Sequence, residues 1–112
     1  MSKGYKIRVI IKRPDERYGH VCNISDSEDN LKRIVDGRLK VTQITHSVFL
    51  MENHDGYVLD LPKNFSMGKW PFTNTVRGTA IVLGYDVENG EYIDCPLNFQ
   101  IWKQLLKDWG NE

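Results

Sequence analysis

Cations, amides and aromatic rings crowd into one stretch of this chain. Lys63, Asn64, Ser66, Lys69, Arg77 and Thr79 supply charges and hydrogen-bond donors of the kind that hold a phosphate or a carboxylate. Phe65, Trp70 and Phe72 supply rings that stack on a base or fill a partner's groove. The chemistry such a set performs is binding. The same residues also have a structural reading, in which the three aromatics plug the end of a core, Asn64 ties its amide to backbone and the lysines are solvated.

Catalysis and metal binding have less to work with. His20, His46 and His54 with Cys22 and Cys95 are the soft ligands, and only His20-Val21-Cys22 sets two of them close together, whereas a structural zinc site takes two close pairs. Ser66, Thr79 or Cys95 is a nucleophile by type, but no Gly-x-Ser-x-Gly elbow surrounds any of them. Asp55 with Asp60, and Asp86 with Glu88, sit beside turns, where solvated charge is the ordinary expectation. No catalytic residue, metal ligand or cofactor is therefore expected.

The elements that must position these groups follow from hydrophobic period and turn chemistry. Thr79-Ala80-Ile81-Val82-Leu83, bounded by Gly78 and Gly84, is an unbroken apolar run that predicts a strand covered on both faces at the centre of a sheet. Before it, residues 61–74 have no period of either kind and predict a long loop. In chain order, Tyr5 to Lys12 reads as a half-buried strand with Ile7, Val9 and Ile11 inward and Lys6, Arg8 and Lys12 outward. Tyr18 to Ile24 reads as its hairpin partner. Ser25 with Glu28 fits a capping box opening a helix over 26–36, with Leu31, Ile34 and Val35 as its stripe and Gly37 ending it. Leu39 to Thr45, Ser47 to Glu52 and Tyr57 to Asp60 read as strands, the last halted by Leu61-Pro62. Asn89-Gly90 predicts a two-residue hairpin turn, and Leu97, Ile101, Trp102, Leu105, Leu106 and Trp109 share one face of a helix over 97–109. The tryptophans Trp102 and Trp109 either cover the sheet or exceed what it buries, in which case the surplus is an oligomer interface.

A chain of 112 residues that is 40% hydrophobic and 27% charged makes one folded domain with one core. Fifteen basic residues balance fifteen acidic ones, so no global field steers it to DNA or to an anionic membrane. No long apolar segment follows the positive charge at the start, so neither a signal peptide nor a membrane span is expected, and the cytoplasm is the expected location. The two cysteines read as reduced small hydrophobes.

The order of several short strings also resembles a family of small phage and prophage proteins whose domain has no assigned function. The strings are the helix ending Leu31-Lys32-Arg33-Ile34-Val35-Asp36-Gly37, then Leu61-Pro62-Lys63-Asn64, then Arg77-Gly78-Thr79-Ala80-Ile81-Val82-Leu83-Gly84. The likeness covers residues 5 to 108, and Lys69-Trp70-Pro71-Phe72 departs from it. It implies a counter-defence or host-takeover factor and supplies no catalytic residues.

The expectation is thus an α+β domain with a mostly antiparallel, twisted sheet of five to seven strands and two helices. Its function is expected to be non-enzymatic binding of a nucleotide-like molecule or a host protein, through Lys63, Asn64, Lys69, Trp70, Phe72, Arg77 and Thr79. A small nucleotide hydrolase or nuclease is the rival, and it needs carboxylates such as Asp60 and Asp86 to converge. A structural oligomer without a ligand is the third reading.

Overall fold

The computed structural model describes residues 5–69 and 71–111. In chain order its elements are β1 (Lys6–Lys12), β2 (His20–Ser25), α1 (Glu28–Val35), β3 (Leu39–Thr45), β4 (Val48–Asn53), β5 (Lys63–Met67), β6 (Asn74–Arg77), β7 (Ala80–Asp86), β8 (Glu91–Ile93) and α2 (Phe99–Asp108). Six strands form one antiparallel sheet in the order β2-β1-β7-β4-β3, with β8 extending the β1 side of β7. This is the α+β architecture expected, and the apolar run is its central strand, which does not stop at Gly84 but continues through it to Asp86.

Alternation along β7 builds a core on each face. Ile81 and Leu83 join Ile7, Val9, Ile11 and Met51 beneath Leu31 and Val35 of α1. Ala80 and Val82 join Ile10, Val48 and Leu50 on the opposite face, beneath Trp102 and Leu106 of α2 and Phe65, Met67 and Val76. Helix α1 has only eight residues, so it depends on that packing. Trp102 is fully buried and donates its indole N–H to the Tyr18 carbonyl at 2.8 Å. Its ring meets Phe65 and Trp109 edge-on at 5.6 and 6.1 Å. The tryptophans of α2 are therefore used inside the fold, while Ile101 on the same face is exposed.

Five local expectations are corrected. Residues 61–74 are not a structureless loop, because β5 and β6 pair as an antiparallel hairpin. Phe65, Met67 and Val76 point inward from it, and a register shift between Lys63 and Phe65 hides the period from the sequence. Tyr57–Asp60 is a turn rather than a strand, closed by Leu59 N–H to Asp55 O at 2.8 Å and Leu61 N–H to Gly56 O at 2.9 Å. Asn89-Gly90 is half of a four-residue connection, since Asp86 pairs with Glu91 and the Gly90 N–H reaches Asp86 O at 2.8 Å.

The cap of α1 is Ser27, whose Oγ accepts from the Asn30 N–H at 3.3 Å; Ser25 instead accepts from Ser27 N–H. At its other end Asp36, with φ 62°, takes the left-handed position, and the Gly37 N–H bonds Lys32 O at 3.0 Å. Gly37 is needed one step later, where a Cβ would stand 2.5 Å from the Asn53 amide nitrogen that caps Val35 O and Asp36 O. The fifth correction is Lys12, which faces inward beside Ile10 and is 3% exposed.

Candidate functional site

The β5–β6 hairpin lies across the face of the sheet that α2 also covers, and it meets the sheet differently on its two sides. Toward β1 the contact is closed by hydrogen bonds. The bulge turns Asn64 toward Lys12, whose ammonium donates to Asn64 Oδ1 and to Glu16 O, both at 2.7 Å. Asn64 Nδ2 in turn donates to Lys12 O at 2.7 Å and Gly78 O at 2.8 Å. Burial lowers the Lys12 pKa, with Glu16 and Asp15 opposing. Every polar atom of the Asn64 amide is occupied, so this residue fastens the hairpin to the sheet.

Toward β4 the contact opens into a cleft of about 340 Å³. Two cross-strand pairs frame it: Lys40 opposite Glu52 on β3 and β4, and Lys63 opposite Arg77 on β5 and β6. Asn53, His54, Gly56, Tyr57, Asn74 and Thr75 complete the lining. The turn after β4 enters through Gly56, where a Cβ would stand 3.2 Å from that of Arg77. Arg77 holds this turn against the hairpin: its Nη1 donates to Leu61 O at 3.0 Å, approaches Asp60 Oδ1 at 3.6 Å, and its guanidinium lies 5.5 Å from the centre of the Tyr57 ring. Lys40 and Lys63 are exposed and, among the described residues, neither lies within ion-pairing distance of a carboxylate.

Glu52 is the unusual member. Val48, Leu50 and Glu52 share one face of β4, so the carboxylate is carried under the hairpin and is 4% exposed. Its Oε2 is shielded and has no hydrogen-bond partner among the described residues. Burial pushes its pKa up, while Lys40 and the Arg77 backbone amide pull the other way. Behind the cleft, Arg38 grips Asp55 through Nε at 3.0 Å and Nη2 at 2.6 Å, and its Nη2 lies 3.2 Å from His54 Nδ1. The Arg38 and His54 hydrogen bonds hold the Asp55 carboxyl at a pKa of about 2. The arrangement can take an anion on Lys40, Lys63 and Arg77, a flat ring on Tyr57, and a donor on Glu52.

The binding set read from the sequence is thereby divided. Lys63 and Arg77 line the cleft; Asn64 is spent on the opposite side of the hairpin. Lys69 is exposed at the turn where its carbonyl accepts the Phe72 N–H at 2.8 Å, Phe72 is 87% exposed, and Thr79 is half-buried just before β7. Trp70 lies outside the described residues. Of the aromatics expected to plug the core, Phe65 does so and Phe72 does not. Asp60 and Asp86 do not converge. Asp60 pairs with Arg77 near the start of β7, while Asp86 caps the turn at the other end, about 20 Å away along the strand. Lys40, Glu52 and Tyr57 are not among the sequence candidates, where His54 figures only as a soft metal ligand. The one available signal was Glu52, a carboxylate placed in phase with Val48 and Leu50.

Among the described residues no three His, Cys, Asp or Glu side chains converge as a metal cluster, and no helix is long and apolar enough to cross a membrane. No family model and no solved structure matches the chain. It is 34% identical over 91 aligned residues to ribonuclease Z of Pyrobaculum islandicum, a match covering 72% of this chain and 29% of that enzyme. The similarity thus spans less than a third of the relative's length.

Proposed function

We propose that this protein is a non-enzymatic binding protein whose cleft between the β5–β6 hairpin and the β3–β4 end holds a phosphate-bearing, nucleotide-type ligand. The observation that carries this reading is the convergence of Lys40, Lys63 and Arg77, from three different strands, on one concave site. Cations gathered on a rigid sheet stabilise a phosphate more than the same charges scattered on a surface, because the concavity excludes water and concentrates their field. Tyr57 adds an exposed ring for stacking. The setting we propose is that of an accessory factor of a mobile element in its host's cytoplasm, acting by sequestering such a molecule.

The test is thermal shift and calorimetry with inorganic phosphate and with mononucleotides. Wild type is expected to bind, and Lys63→Glu to bind about tenfold or more weakly while remaining folded. Absence of any binding by the wild type ends the reading. The partial likeness to a ribonuclease supports a second one, in which RNA occupies the cleft and is cut, since Glu52 and His54 both line it. Cleavage of labelled single-stranded RNA that disappears in Glu52→Gln would replace the binding reading with this one.

A further inference from the structure

We infer that the cleft selects guanine, with the Glu52 carboxylate receiving the two adjacent N–H donors of the guanine edge while Lys40 and Lys63 hold the phosphate. This rests on the phosphate-binding reading above and adds the identity of the base. Among the described residues one buried oxygen in the cleft wall has no partner. A buried polar atom with no hydrogen bond is costly, and native proteins keep few of them without a use. Here Glu52 Oε2 is such an atom, it belongs to a side chain that is 4% exposed, and that side chain lines the site where three cations gather.

An ionised carboxylate only accepts hydrogen bonds, and each oxygen has two lone pairs, so Oε2 can take one of two parallel donors while the oxygen that the Arg77 backbone amide approaches takes the other. Guanine presents N1–H and the N2 amino group side by side. Adenine sets its N6 donor beside an acceptor, cytosine sets its N4 donor beside an acceptor, and uracil flanks its single N–H with two carbonyls, so each of these would turn a lone pair toward the carboxylate. Recognition by an unpartnered acceptor also discriminates strongly, because the wrong base leaves the buried oxygen as it was. The charged groups around Glu52 come from every element that packs there: Lys40 on β3, His54 beyond β4, Lys63 on β5 and Arg77 on β6. They keep an anion in the cleft electrostatically admissible. Because Oε2 is shielded, base binding requires side chains at the mouth of the cleft to move, and Lys40 and Lys63 are long and exposed enough to do so. Tyr57, already against the Arg77 guanidinium, is placed to receive the ring face.

Calorimetric titration of the wild-type protein with guanosine, inosine and adenosine 5′-monophosphates and with inorganic phosphate tests this without altering the chain. The guanine nucleotide is expected to bind about tenfold or more tightly than the adenine nucleotide, with the inosine compound between them because it lacks the N2 amino group. In Glu52→Gln that preference is expected to vanish while binding of inorganic phosphate persists. A short single-stranded RNA ending in a 5′-phosphorylated guanosine, against the same strand ending in adenosine, distinguishes an RNA end from a free nucleotide as the source of the base. Equal affinity for all the nucleotides would overturn the guanine assignment and leave the phosphate reading standing. Equal preference in wild type and Glu52→Gln would overturn the role of Glu52. Failure of phosphate and every nucleotide to bind would overturn both readings.

Discussion

Lys12 and Glu52 stand on the two strands that flank the start of β7, and both are withdrawn from water, at 3% and 4% exposure. Lys12 has two acceptors at 2.7 Å and belongs to a closed network with Asn64. Glu52 lines an open cleft, and its shielded Oε2 has no partner among the described residues. The same hairpin covers both. A buried charge whose bonds are complete is part of the scaffold; one left incomplete costs stability.

Asn64→Ala would make the lysine side resemble the glutamate side. It removes an acceptor from Lys12 and a donor from two buried carbonyls, so a loss of about 3 kcal/mol or more is expected in chemical denaturation. Adding Lys12→Met should recover part of that loss, since the stranded charge goes with it. Charge removal at Glu52 should act in the opposite sense. A carboxyl whose pKa is raised by burial keeps its proton longer in the folded state, so stability is complete below the ordinary carboxylate value and declines as pH rises through the folded value. Glu52→Gln is therefore expected to stabilise the protein by about 1–2 kcal/mol at pH 7 and by little at pH 4, read from thermal unfolding at the two values. Lys12 tilts the other way. Its lowered pKa means that stability rises with pH between the folded value and the ordinary lysine value, a slope that Lys12→Met should flatten.

Lys63→Glu separates site from scaffold more gently. Unfolding free energy should move by no more than about 0.5 kcal/mol, because the side chain is exposed, while phosphate affinity falls. The smallest expected effect concerns the ion pair behind the cleft. Asp55 should titrate near 2 by NMR, and its contribution, present above the ordinary carboxylate value, should fade as pH drops toward that midpoint. Arg38→Ala should return the midpoint toward the ordinary range.

The sheet was legible because its signals are long. An apolar run closed by glycines announced β7, and the residues of α2 repeat at helical spacing over three turns. The hairpin was not legible, because one bulge at Asn64 suffices to break a two-residue period in strands of five and four residues. The site was half legible for a related reason. Lys63 and Arg77 declare themselves by charge, but Lys40 and Glu52 come from strands more than ten residues upstream in another sheet, and only the packing of the hairpin over that sheet brings the two pairs together. Tyr57 was misplaced on a strand, since its apolar neighbours Val58 and Leu59 imitate one while standing exposed.

The position of β7 also bears on how the chain is made. Among the described residues the β1–β2 and β3–β4 hairpins are hydrogen-bonded into one sheet only through β7, more than twenty-five residues after β4 in the sequence. Until that strand has emerged from the ribosome, β1 and β4 each present an unpaired inner edge carrying the most apolar residues of the molecule. Pairing β1 with β7 then closes a loop of nearly seventy residues, an entropic cost larger than that of any hairpin in the sheet. Nascent chains stopped before Ala80 should need a chaperone, and chains that extend through α2, which covers the second face of the sheet, should not.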